Sequence, residues 1–186
     1  MIVILEGCDK SGKSTQANEI KKFLELETKL PTHIIHSRYV KGSSKEEAQN
    51  LSRRTFIDMF EMMVDSIDKR NYILDRSYLD EAVYGPLYRD QTNEYIFDLE
   101  KKYLPKLNDY LHTFLFRIDP KKLIDREDGD SFSATEEAKV REMDLFQTVL
   151  DKSLLRYKDV INGNLPITEV TESILKKLSA HLEILK

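Results

Sequence analysis

Gly7-Cys8-Asp9-Lys10-Ser11-Gly12-Lys13-Ser14 satisfies the pattern G-x-x-x-x-G-K-[ST]. Glycines at both ends let a backbone turn tightly and bring its N–H groups close to phosphate oxygens. A helix beginning at the end of such a loop adds amides without intrahelical partners and the positive end of its dipole. Lys13 then reaches the terminal phosphates of a nucleoside triphosphate, and the Ser14 hydroxyl ligates Mg²⁺ brought in with it. A plain glycine turn before a helix is the competing reading. Against it, a short apolar strand precedes the pattern and an amphipathic stretch follows it, the context this chemistry needs. The loop by itself does not separate a kinase from an ATPase or GTPase.

The elements that hold the loop follow from hydrophobic spacing. Ile2-Val3-Ile4-Leu5 reads as a buried strand, and Ile20, Phe23, Leu24 and Leu26 give a helix from about Lys13. Strands are expected at 32–36, 72–75, 110–118 and 165–168. Helices are expected from Lys45 to about Lys69, over 80–88, 92–103 and 136–157, and from Val170 to Leu185, with a short one starting at Pro120. Residues 125–135 are polar and acidic around Gly129 and read as an exposed loop. Strands alternating with helices imply right-handed crossovers: an α/β phosphate-loop NTPase, three layers α/β/α around a five-stranded parallel sheet, one domain over 1–186.

Composition narrows the partners. The chain has 186 residues and a net charge of −4, which argues against broad binding to nucleic-acid polymers but leaves room for a locally positive pocket. Cys8 is the only cysteine, so an internal disulfide and a Cys-rich metal site are excluded. It reads as a small filler whose alkylation, if it is accessible, should inhibit. The four histidines lack metal-ligand spacing. No apolar run is long enough to span a membrane, and Ile2–Leu5 is too short for a signal peptide, so a cytoplasmic protein is expected.

Further residues carry a family resemblance. Glu6-Gly7-x-Asp9-x-x-Gly12-Lys13-Ser14-Thr15-Gln16 resembles the N-terminal signature of thymidylate kinases, and Asp75-Arg76 resembles their D-R motif. Val83-Tyr84, Arg89, Arg38-Tyr39, Ile118-Asp119-Pro120 with Arg126, and Leu165 to Val170 extend the likeness over nearly the whole chain. The resemblance implies a nucleoside monophosphate kinase that moves the γ-phosphoryl of ATP to dTMP, with Mg²⁺ as MgATP, in a homodimer. It implies Gly7 to Thr15 around ATP. Arg38 and Arg76 hold the acceptor phosphate, Asp9 bonds the sugar 3′-hydroxyl, and Tyr39, Phe56 and Tyr84 wall the acceptor. It also implies a lid at 125–135. The tip of that lid is acidic, so Lys10 is expected to supply the second cation and Arg126 to stack on the donor base. Asp9, Lys10, Lys13 and Arg76 form the expected catalytic set.

The pattern also departs from that family. Ser77 follows the D-R pair where an aromatic is usual, so Asp75-Arg76-Ser77 resembles the E-R-S motif of deoxynucleoside kinases as well. Asp80 and Gly85 replace residues of the usual pocket. dUMP, other deoxynucleotides or a free nucleoside therefore stay open as acceptors. Phe56 and Phe60 fit a base platform or the core face of an amphipathic helix, Arg53 and Arg54 fit an acceptor contact or a solvated surface, and Tyr88 fits helix packing. A nucleotide-driven switch is the remaining reading, though Phe114 to Asp119 only loosely imitates its second metal-binding strand.

Overall fold

The computed structural model describes residues 1–37, 42–92, 94–129, 131 and 133–185. The strands are β1 (Ile2–Glu6), β2 (Thr32–His36), β3 (Asn71–Asp75), β4 (Leu111–Arg117) and β5 (Tyr157–Asn162). The helices are α1 (Lys13–Thr28), α2 (Lys45–Ser66), α3 (Leu79–Tyr84), α4 (Tyr95–Leu107), α5 (Pro120–Asp125), α6 (Glu136–Lys152) and α7 (Ile167–Ile184). The strands run parallel in the order β2-β3-β1-β4-β5. Central β1 pairs Leu5 with Asp75 on one side and Glu6 with Leu115 on the other. The carboxyl ends of β1 and β3 therefore lie side by side, which places the phosphate loop next to Asp75-Arg76.

Side chains alternate across the pleat and make two cores. Val3, Leu5, Ile73 and Phe116 pack with Ile20 and Leu24 of α1 and Ile174 of α7. Ile2, Ile4, Tyr72 and Leu74 pack with Phe60 of α2, Leu99 of α4 and Phe146 of α6. This is the expected three-layer α/β architecture. Apolar residues lie on both faces of β1, which explains its unbroken run of Ile, Val and Leu.

The fifth strand departs from expectation. It occupies Tyr157–Asn162, and α6 stops at Lys152 instead of running to 157. Ser153 turns extended (ψ 142°) and donates to Glu100 Oε1 at 2.5 Å, which ends the helix. Only Ile161 is buried in this edge strand. Its polar run thus reads as a helix surface until it is paired with β4. Leu165 is exposed, Pro166 caps α7, and Ile167 is the first residue of that helix, so no strand forms at 165–168. Helix α3 is followed by a wider π-helical turn over Gly85–Arg89, and α4 begins three residues later than its periodicity suggests.

Candidate active site

Gly7 leaves β1 with φ 134°, and a Cβ there would come 2.8 Å from the carbonyl oxygen of Phe116. Gly12 caps α1 with φ 92°. Both conformations suit glycine and bend the loop around the amino end of α1. A cavity of about 570 Å³ opens over it. Asp9, Lys10, Ser11, Gly12, Lys13, Ser14 and Thr15 line its floor. His36, Asp75 and Arg76 stand on one side, with Phe116, Arg126 and the segment from Gly163 to Val170 on the other.

Lys13 is buried and folds back, its Nζ donating to the carbonyls of Gly7 (2.8 Å) and Cys8 (2.7 Å) and to Ser11 Oγ (3.2 Å). Burial, reinforced by the Arg76 charge, lowers its pKa to about 8. Ser14 Oγ donates to Asp75 Oδ2 at 2.5 Å, and His36 Nδ1 lies 3.1 Å from the same oxygen. Asp75 Oδ1 is buried with no hydrogen-bond partner among the described residues. A hydroxyl beside a carboxylate with one unsatisfied oxygen is a hard-oxygen donor set suited to Mg²⁺. Asp75 entered the sequence reading only as part of the D-R pair; its place at a strand end facing the loop is what gives it a metal-binding geometry.

Arg76 adopts φ 73°, a left-handed conformation costly for a residue with a Cβ. Its guanidinium is held on several sides. Nη2 donates to Asp9, while Nη1 donates to Asp80 Oδ2 at 2.8 Å and to the Tyr84 hydroxyl at 3.3 Å, with the charge 5.3 Å from the Tyr84 ring centre. Behind it Ser77 Oγ donates to buried Glu6, whose pKa is raised by burial and then by the Asp80 carboxylate. Asp80 and Glu6 therefore set the charge around Arg76; the sequence shows Glu6 in the loop signature and Asp80 as a departure from the family pattern, and the fold gathers both at Arg76.

Lys10 has φ 63° and forms an ion pair with Asp128 of the acidic segment, while Arg126 Nη1 donates to the Lys10 carbonyl at 3.2 Å. Arg126 thus touches the loop backbone where base stacking was expected. Cys8 is almost fully buried, its thiol facing the Lys139 carbonyl at 3.9 Å. Burial, helped by Glu142, pushes its pKa up to about 12, so the accessible cysteine considered above is absent. Phe56 is 4 % exposed and packs edge-on against Tyr78 at 6.5 Å, and Phe60 stacks on Tyr103 at 5.0 Å. Neither lines the cavity, because their side of α2 faces the sheet; Phe56 is core here, not an acceptor wall. Tyr84 sits behind Arg76 instead of facing the cavity. Arg38 and Tyr39 lie outside the described residues.

No protein-family profile and no curated protein sequence matches the chain. Solved structures do. The YorR protein from Bacillus subtilis, in complex with phosphorylated GDP, superposes with a TM-score of 0.68 at 20% identity, covering 99% of this chain and 96% of that one. Thymidylate kinase from Candida albicans superposes with a TM-score of 0.64 at 18% identity, covering 96% of this chain and 91% of that one. At such identities the likeness establishes architecture, and architecture is shared end to end: this chain has the α/β fold of these two proteins.

Proposed function

We propose that the chain is a nucleoside monophosphate kinase, transferring the γ-phosphoryl of ATP to a deoxynucleoside monophosphate, with dTMP the first candidate. The observation that carries this reading is one cavity running from the amino end of α1 to Arg76 and His36 at the ends of the neighbouring strands. Donor phosphates fit over the loop amides, and Lys13 exchanges the carbonyls of Gly7 and Cys8 for terminal phosphate oxygens. Ser14 and Asp75 would hold Mg²⁺ arriving as MgATP, which supplies charge neutralisation at the phosphates. Asp9, Asp80 and Tyr84 take three of the five N–H groups of Arg76 and so leave donors for an acceptor phosphate. An acceptor phosphate oxygen then attacks the γ-phosphorus and the bond to the β–γ bridging oxygen breaks, releasing ADP. No covalent intermediate on the protein is needed, so alignment and charge carry the rate.

The structural likeness to a thymidylate kinase supports the choice of dTMP, as do the quoted motifs. The second reading is a deoxynucleoside kinase. Ser77 after the D-R pair favours it, as does Asp80 held on Arg76 at 2.8 Å, since an acceptor without phosphate tolerates that neutralisation. An ADP-release assay with MgATP across nucleoside monophosphates and free nucleosides decides. Turnover with dTMP or dUMP is expected; turnover with free nucleosides alone overturns the first reading. The homodimer implied by the resemblance is tested by light scattering of the purified chain, where a monomer at assay concentration would refute it.

A further inference from the structure

Lys139 is a long cationic side chain with no solvent exposure, near the start of α6. Its Nζ lies 3.7 Å from Glu127 Oε2 and 3.9 Å from Glu142 Oε2, and it has no hydrogen-bond partner among the described residues. Glu142 is engaged elsewhere, accepting from Tyr88 (2.6 Å) and Ser133 (2.8 Å) through its other oxygen. Burying an ammonium is costly unless opposite charge compensates it, and one of the two compensating carboxylates comes from the acidic segment. That carboxylate also organises its own segment: Glu127 Oε1 accepts from the amides of Asp128 (3.2 Å), Gly129 (3.3 Å) and Ser131 (3.3 Å). The residues on either side of Glu127 both reach Lys10 of the phosphate loop, Arg126 through the backbone carbonyl and Asp128 through the side chain. The Lys139 carbonyl meanwhile meets Cys8 of the same loop.

We propose that Lys139 is a positioning residue that anchors the lid, its buried ammonium holding Glu127 and so setting Arg126 and Asp128 against Lys10. Loop and lid are thereby referenced to one point on α6. What the lid then covers rests on the kinase reading; the anchor itself does not.

The test uses the full chain with Lys139→Met, Glu127→Gln and the two combined. Glu127→Gln keeps an oxygen for the three amides and removes only the charge, so it probes the link even if Lys139→Met fails to fold. Hydrogen exchange at the amides of residues 128, 129 and 131 reads the anchor without any catalysis, and each single variant is expected to speed it about 10-fold with the α-helical amides unchanged. In the ADP-release assay KM for MgATP should rise about 10-fold in each single variant with a smaller change in kcat, and the double variant should match the singles. Unchanged exchange in Glu127→Gln, or effects that add in the double variant, overturns the anchor. Faster exchange in a protein inactive on every nucleotide upholds the anchor and refutes the kinase reading.

Discussion

At the level of single residues the site is a balance of charges at short range. The Lys10 ammonium already has Asp128 against it, so it must exchange a carboxylate for phosphoryl oxygens to act. Lys10→Met should lower kcat about 100-fold if that exchange occurs in the transition state, read as kcat at saturating MgATP. Asp75→Asn removes the charge of a buried carboxylate with an unsatisfied oxygen. Activity and stability are expected to separate there: kcat falls about 100-fold while the melting temperature holds or rises, because the buried charge is gone. Cys8 gives a chemical check. With the thiol almost fully buried and its pKa near 12, iodoacetamide at pH 8 should label it only as fast as the chain opens, with or without ATP. Mass spectrometry of labelled protein against time measures this.

At the level of elements, helix faces and strand ends decide what reaches the site. α2 directs Phe56 and Phe60 into the core, and Phe60→Ala should cost about 3–5 kcal/mol in denaturant unfolding. A second cluster ties β4, β5 and α7 together at the end of the sheet opposite the phosphate loop. His112 Nδ1 lies 3.2 Å from His181 Nδ1, and His112 Nε2 is 2.7 Å from Asp159 Oδ2, which Lys177 also contacts at 2.6 Å. The Asp109 carbonyl is 2.8 Å from His181 Nε2. Burial lowers the pKa of both histidines. An unfolded imidazole titrates near about 6.5, so the unfolded chain takes up protons first as pH falls. Stability is therefore full above that value and declines as pH drops through it. Melting temperature should fall between pH 7.5 and 5.5, at about 2–4 °C per kcal/mol lost, and fall less in His112→Gln.

At the level of the whole molecule, the parallel sheet brings the carboxyl ends of β1 and β3 together, so one cavity takes contributions from residues as far apart in sequence as Asp9, Arg76, Arg126 and Val170. A ligand that binds such a cavity only in the folded state stabilises everything that forms it. MgATP at a hundred times its dissociation constant should add about 2.7 kcal/mol, visible as a rise in melting temperature, and Lys13→Ala should abolish that rise. No helix among the described residues is long and apolar enough to cross a membrane. What the sequence determined by itself was whatever lies in a contiguous stretch. The phosphate loop is eight consecutive residues whose glycines and lysine act on their own backbone, and β1 through β4 show themselves by short runs of β-branched, aromatic and leucine residues between helical periods. Tertiary structure decided the rest, because it depends on distant partners. β5 is a strand only through its register with β4, and Arg76 acquires its setting from Asp9, Asp80 and Tyr84 at once. Phe56 could be seen to belong on an apolar face, but which neighbour fills that face was not visible in periodicity. Lys139 and Glu127 lie twelve positions apart in the sequence, and it takes the folded chain to bring their charges within 4 Å.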